Sequence, residues 1–219
     1  NPPLEKVAYN TRFAESYEFV ETVSDENEYL KSRENYPAEL PPKVLILTAA
    51  VDVQANRLEF EIVGWARDFH SYGIWRDIIK GSPNNLETWA ELDSVLDREY
   101  KFHNGKRLKV ARAFIDSGYS TRNVYEYCSV NQLKGRFAIK GKGSPGLPLI
   151  YQYSYPKGYA ITLTILGVID GKQEVFSRLN LNNKLMHFPC EDNFFTRRGY
   201  DEIYFKQLFS EKRILKRSS

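Results

Sequence analysis

Two aspartates close two strongly apolar runs of the chain. "KVLILTAAVD" ends on Asp52, and "LKVARAFID" ends on Asp116. A carboxylate at the end of a buried strand is costly unless something offsets its charge. A basic side chain, a run of backbone N–H groups or a metal ion could do so. If the two strands are parallel neighbours, both carboxylates leave the sheet at one edge. Two such groups a few ångströms apart repel, so one would be held protonated unless a cation lies between them. Oxygen donors without a local His or Cys favour Mg²⁺ or Mn²⁺ over Zn²⁺. The plainer reading makes each aspartate a turn residue bonding its own backbone, at "VDVQAN" and at "DSG". Two such endings on two apolar strands weaken that reading.

The elements that must position these groups follow from periodicity. Lys43–Val53 is expected as a buried strand and "QAN" as a turn. Arg57–Trp65 is a second strand, with Leu58, Phe60 and Ile62 alternating against Glu59 and Glu61. Ser71–Ile79 is a third. Short links between the three favour an antiparallel meander. From Asn85 to about Tyr100 the period turns helical, with Leu86, Trp89, Leu92 and Leu96 on one face. Leu108–Ile115 is the fourth strand, and a helix capped by Ser120 or Thr121 follows. Arg136–Lys140 is the fifth. Beyond it, "GKGSPGLP" reads as a loop, Tyr159–Ile169 as β-rich and "GKQEVFSRLNL" as a helix. "KLMHFP" reads as a short strand and Asp201–Glu211 as a final helix. The class is α/β: a mixed central sheet, three antiparallel strands and then parallel ones, flanked by helices.

Charge is unevenly spread. Residues 1–41 carry nine acidic and four basic side chains, whereas residues 42–219 carry 27 basic and 19 acidic. "YPAELPPK" places a boundary near Pro41, giving an acidic lead-in (1–41) and a basic globular domain (42–219). The simplest partner of a basic domain is a polyanion. Cys128 and Cys190 fit no metal-knuckle spacing and read as reduced thiols of an intracellular protein. No apolar run approaches the roughly 20 residues needed to span a bilayer, and the amino terminus reads as neither signal nor transit peptide. It lacks a starting Met, as expected of a fragment of a longer chain.

At this point "LTAAVDVQANRLEFEIVGWARDFHSYGIWRDIIKGSP", "VARAFIDSGYSTRNVYEYC" and "HFP" followed by "DEIYFKQLFSEK" can be read together. In that order they resemble the nuclease domain of the lambda-type phage terminase large subunit. Upstream, "AYNTRFAESYE" is similar to the tail of the preceding ATPase region. The resemblance implies an RNase H-like fold and a metal-dependent endonuclease cutting concatemeric phage DNA during genome packaging in the host cytoplasm. It implies two Mg²⁺ or Mn²⁺ ions, with Asp52 bridging, Asp116 holding one ion, and Asp201 as the third carboxylate. Implied partners are double-stranded DNA, the small terminase subunit, the portal protein and the upstream ATPase domain, with no membrane. "GKGSPG" (141–146) is not a P-loop, lacking the terminal Lys-Ser/Thr pair, so the motor is expected elsewhere.

Lys140, Lys142, Arg197 and Arg198 are the basic residues best placed to touch phosphate, against an ordinary solvated-charge reading. His187 reads as a structural residue or as a group supporting a metal site, and Trp65, Trp75 and Trp89 as core or sheet-face residues. For the third ligand, Asp192 and Glu202 compete with Asp201, for which helix capping is the serious alternative. A non-catalytic DNA- or motor-docking module, or another RNase H-like nuclease such as a resolvase or transposase, remains the competing function.

Overall fold

A computed structural model of the chain describes residues 26–179, 184–190 and 199–210. In chain order the elements are α1 (Glu26–Lys31), β1 (Ile46–Val53), β2 (Arg57–Trp65), β3 (Ser71–Lys80), α2 (Leu86–Leu96), β4 (Tyr100–Lys101), β5 (Arg107–Leu108) and β6 (Val110–Asp116). They continue with α3 (Thr121–Asn131), β7 (Arg136–Lys142), β8 (Ile150–Ser154), β9 (Leu163–Gly167), α4 (Val168–Arg178), β10 (Met186–His187) and α5 (Glu202–Phe209). Eight strands form one mixed sheet in the order β10-β3-β2-β1-β6-β7-β9-β8, an RNase H-like arrangement, and β4 and β5 form a separate ribbon.

The meander β1-β2-β3 is antiparallel, as the short links predict. From β1 outward, β6, β7 and β9 are all parallel to it, so their C-terminal ends share one sheet edge. Strand alternation then sorts the side chains. Leu47, Ala49, Val51 and Val53 of β1, with Leu58, Phe60 and Ile62 of β2, face inward. There they meet Trp89, Leu92 and Leu96 of α2 and Val124, Tyr127 and Cys128 of α3. Each fully buried aliphatic or Phe side chain contributes about 1.5–3 kcal/mol, so this face anchors the sheet. Burial also pushes the Cys128 thiol up to about 12, consistent with a packing role.

The opposite face carries Thr48, Ala50 and Asp52 of β1 and Glu59 and Glu61 of β2. A second apolar cluster assembles on this side from Tyr29, Leu179, Phe188, Tyr200, Tyr204 and Phe205. Residues ahead of the sheet join both cores. Tyr36 and Leu40 are buried in the main one, Leu40 N–H donates to the Lys101 carbonyl at 3.0 Å, and Arg98 pairs with Glu39.

The strands differ from expectation in three places. The fourth strand begins at Val110, because Arg107 and Leu108 pair instead with Lys101 and Tyr100. The helix expected to reach Tyr100 stops at Leu96, capped by Asp97. That frees Tyr100 to bury its ring and donate its hydroxyl to Val95 O at 3.0 Å. Strand β8 forms just past the expected "GKGSPGLP" loop, in a stretch to which the sequence assigned no element. No helix among the described residues is long and apolar enough to cross a membrane.

Candidate active site

The parallel pairing of β1 and β6 sets Val51 opposite Ile115. Asp52 and Asp116 are the next residues along, so they leave neighbouring strands at the same edge and on the same face. Strand separation there is about 4.8 Å. The row continues in both directions. On one side Asp52 pairs with Glu59 of β2. On the other, Asp116 pairs with Ile139, Ile139 with Thr164, and Thr164 with Tyr153. The juxtaposition foreseen from two apolar runs is therefore present.

Among the described residues neither aspartate is neutralised by a basic side chain. Gln54 Nε2 donates to Asp52 Oδ2 at 2.6 Å, and lies 3.5 Å from Glu59 Oε1. Asp116 Oδ1 accepts from the Gly118 backbone N–H at 3.1 Å. The turn reading thus describes one oxygen of Asp116, but not Asp52, whose partner is a side chain. Among the described residues, Asp52 Oδ1 and Asp116 Oδ2 carry no hydrogen bond or ion pair. Carboxylates on neighbouring strand ends suit a hard divalent cation. Among the described residues no group of three or more His, Cys, Asp or Glu side chains is assembled that could hold a metal ion, so the structure sets Asp52 and Asp116 on neighbouring strands but does not gather Asp201 with them.

Glu59 is neutralised, by Arg57 Nε at 2.7 Å and Arg76 at 3.3 Å. Arg76 also donates to Gln207 Oε1 of α5 at 2.9 Å. A chain of polar contacts therefore runs from Asp52 through Gln54, Glu59 and Arg76 to the last helix. Beside it, Glu61 is buried and accepts from the hydroxyls of Tyr200 at 3.0 Å and Tyr204 at 3.1 Å. Burial raises the Glu61 carboxyl above the usual range, outweighing those hydrogen bonds and the nearby Arg76 charge. The sequence shows Glu59 and Glu61 only as the outward half of an alternating strand. Nothing local reveals that α5 covers one and that Arg76 clamps the other.

Asp201 is the N-cap of α5, its Oδ1 accepting from the Tyr204 N–H at 2.9 Å. Its Oδ2 has no partner among the described residues. The helix start is pinned over β3. Gly199 has φ +72°, and a Cβ there would overlap the Arg76 carbonyl oxygen, while a Cβ on Gly73 would overlap the Tyr200 ring. Asp201 thus shares the face of Asp52 and Asp116 but begins a helix seated two strands from β1. Glu202 is exposed and pairs with Lys206. Asp192, Arg197 and Arg198 lie outside the described residues.

Lys140 and Lys142 extend β7 past Ile139 at the same sheet edge. By alternation they stand on the face opposite the two aspartates. They line an open groove of about 350 Å³ with Tyr151 and Gln152, and Lys142 Nζ sits 4.6 Å from the Tyr151 ring centroid. His187 is remote from the aspartates. Its ring nitrogens meet His70 at 2.8 Å and Glu34 at 2.7 Å. Its strand joins β3 at Ser71, level with Ile46, which is about 20 Å along β1 from Asp52 at ~3.3 Å per residue. It is structural here. Trp89 is a core residue donating to Pro83 O at 2.8 Å, and Trp65 a sheet-face residue donating to Thr48 at 2.8 Å.

Comparison with known proteins gives these positions their context. The large terminase subunit of Escherichia phage lambda is 27% identical over 220 residues, covering 96% of this chain and 34% of that protein. The large terminase subunit of Enterobacteria phage P21 is 22% identical over 213 residues, covering 93% of this chain and 33% of that protein. The chain therefore spans about a third of the length of these relatives. The family described as terminase large subunit gpA, endonuclease domain, matches residues 3–219. A match over nearly the whole chain, on a fold whose parallel strands end in Asp52 and Asp116, means that this chain belongs to the terminase large subunit endonuclease domain family.

Proposed function

We propose that the domain hydrolyses DNA phosphodiester bonds with two bound Mg²⁺ or Mn²⁺ ions, cutting concatemeric phage DNA during genome packaging. One observation carries this reading: the parallel pairing that brings Asp52 and Asp116 out side by side, with an oxygen on each that has no partner among the described residues. Asp52 would bridge the ions. Asp116 would hold one of them, and Asp201 would complete the set with the oxygen its cap leaves free. Bound there, the ions would supply an activated water and offset charge on the leaving oxygen.

The chain's own groups prepare that site. Gln54 Nε2 donates to Asp52 Oδ2, and Oδ1 has no hydrogen bond among the described residues. Arg76 ties Glu59 to α5, so the helix carrying Asp201 is registered against the carboxylate row. Lys140, Lys142, Arg197 and Arg198 would neutralise phosphates and displace counterions. In the longer protein, an upstream ATPase region, a small terminase subunit and a portal protein are the partners this role calls for, in the host cytoplasm.

The test is nicking of supercoiled plasmid by this domain in Mn²⁺, its loss in EDTA, and its loss in Asp52→Asn. Cleavage that persists in chelator overturns the metal assignment. A folded protein that binds DNA but never nicks it favours a docking module instead.

A further inference from the structure

Between Glu126 and Asp170 the sequence contains no acidic residue. These 43 positions hold five basic ones, in a chain with 28 Asp and Glu among 219 residues. The fold turns that stretch into the outer part of the sheet, β7, β8 and β9. Two of the five cations are committed elsewhere: Arg136 is buried against Asp97 at 2.7 Å, and Lys134 lies 4.0 Å from the same carboxylate. Lys140, Lys142 and Lys157 are exposed and have no carboxylate partner among the described residues.

Aromatic rings are interleaved with these lysines. Strand β8 is an edge strand, and four of its five residues are exposed. Tyr153 is 54% exposed and Tyr155 74%. Tyr151 lies at an irregularity in the β8–β9 register, beside the Lys142 ammonium. A water-exposed edge strand is a liability that proteins normally blunt with charge or cover. Here it is left rich in tyrosine and free of acid.

We infer that the β8 edge is a binding platform for single-stranded DNA, with Tyr151, Tyr153 and Tyr155 stacking on bases and Lys140, Lys142 and Lys157 meeting the backbone. Duplex DNA keeps its bases stacked inside and offers such rings little, whereas unpaired bases present a π face to them, and the lysines track the phosphates. The position suits the cut product. Tyr153 is three strands from Asp116 in the same row, about 14 Å at ~4.8 Å per strand. A strand leaving the carboxylates along that row reaches Tyr153 and then passes over the edge to Tyr151 and Lys142. This inference rests on the DNA-cutting reading for its biological sense but not for its test.

Binding of a fluorescein-labelled oligothymidylate and of a labelled duplex is measured by anisotropy in EDTA, where no cleavage occurs. Replacing all three tyrosines by leucine keeps apolar bulk on the strand and removes the rings. Single-strand affinity is expected to fall at least about tenfold, as expected when stacking is lost, with duplex affinity within about twofold. The triple phenylalanine variant, which keeps the rings, is expected to bind the single strand like the parent. Lys140→Ala with Lys142→Ala is expected to weaken single-strand binding and flatten its salt dependence. Circular dichroism and melting confirm that each variant is folded. Unchanged oligothymidylate affinity in the leucine variant overturns the platform, even if plasmid nicking is normal. A leucine variant altered only in oligomeric state assigns the edge to protein contact and overturns it equally. Failure to nick plasmid in Mn²⁺, with these binding differences intact, sinks the nuclease reading and leaves the platform standing.

Discussion

Tyr204 of α5 donates its hydroxyl to Glu61 of β2 at 3.1 Å, so the last helix is tethered to the outward face of the sheet by a buried acid. Burial raises the Glu61 carboxyl, so the folded state binds this proton more tightly than the unfolded chain does. Its contribution to stability is then fully present below the ordinary Glu range and is lost as pH rises through the raised folded value. Glu61→Gln keeps an acceptor for the tyrosines and removes the charge. The variant is expected to melt about 2–4 °C above the parent at pH 8, the shift of ~1 kcal/mol in a domain of this size. The difference is expected to shrink as pH falls towards 5. Parallel melting curves with a constant offset would show that Glu61 does not titrate with folding.

Asp52→Asn is expected to abolish nicking, by on the order of 100-fold or more, the scale of removing one electrostatic group from a catalytic site. Its circular dichroism and melting temperature are expected to match the parent, since Asp52 is exposed and its only hydrogen bond among the described residues is to Gln54. Calorimetric titration with Mn²⁺ supplies an independent readout, and wild-type Mn²⁺ affinity in the variant removes Asp52 from the site.

Asp201 is both a cap and the proposed third carboxylate, and two substitutions separate the roles. Asp201→Ala loses the hydrogen bond to Tyr204 N–H, at a cost of about 0.5–2 kcal/mol. Asp201→Ser retains a capping oxygen but no carboxylate. The serine variant is expected to be stable and inactive. A stable and active serine variant would falsify the ligand role and leave only the cap. Glu202→Ala, at an exposed site paired with Lys206, is expected to keep most of the activity.

Gly199→Ala meets two obstacles, a left-handed backbone and overlap with the Arg76 carbonyl. Strain of this kind costs about 1–3 kcal/mol. Hydrogen exchange is expected to quicken in α5 while β1 and β6 stay protected. Uniform protection in both variant and parent would show that the close approach at Arg76 does not hold the helix.

The sheet centre was legible because its strands are written as strongly apolar runs, although only one face of each is buried in the structure. "KVLILTAAVD" and "VARAFID" read as strands ending on aspartates, while their parallel adjacency was a condition that only the strand pairing supplies. The rim was not. Strand β8 has little buried surface, so no apolar alternation marked "IYQYS" as a strand; its pairing with β9 alone reveals it. Glu61 looked solvent-facing because alternation reports only the sheet's own two sides. That the outward side is roofed by Tyr200 and Tyr204 depends on residues 139 and 143 positions further along the chain. Asp201 illustrates the converse: "DEIYFKQL" marked a helix start correctly, but a cap and a ligand look alike in sequence.

The second apolar cluster also bears on how the domain reaches its working form. Tyr29 stacks near Phe205, with ring centroids 6.2 Å apart, although the two stand at opposite ends of the described chain. Such a contact closes nearly the longest loop available, and chain entropy sets it against the locally linked meander. Helix α5 is therefore expected to dock after the sheet has formed and to be among the first elements to open. On the proposed reading of Asp201 as a third acid, the domain carries a built-in delay: the strand-end pair exists first, and the full complement only once the two ends of the described residues have met.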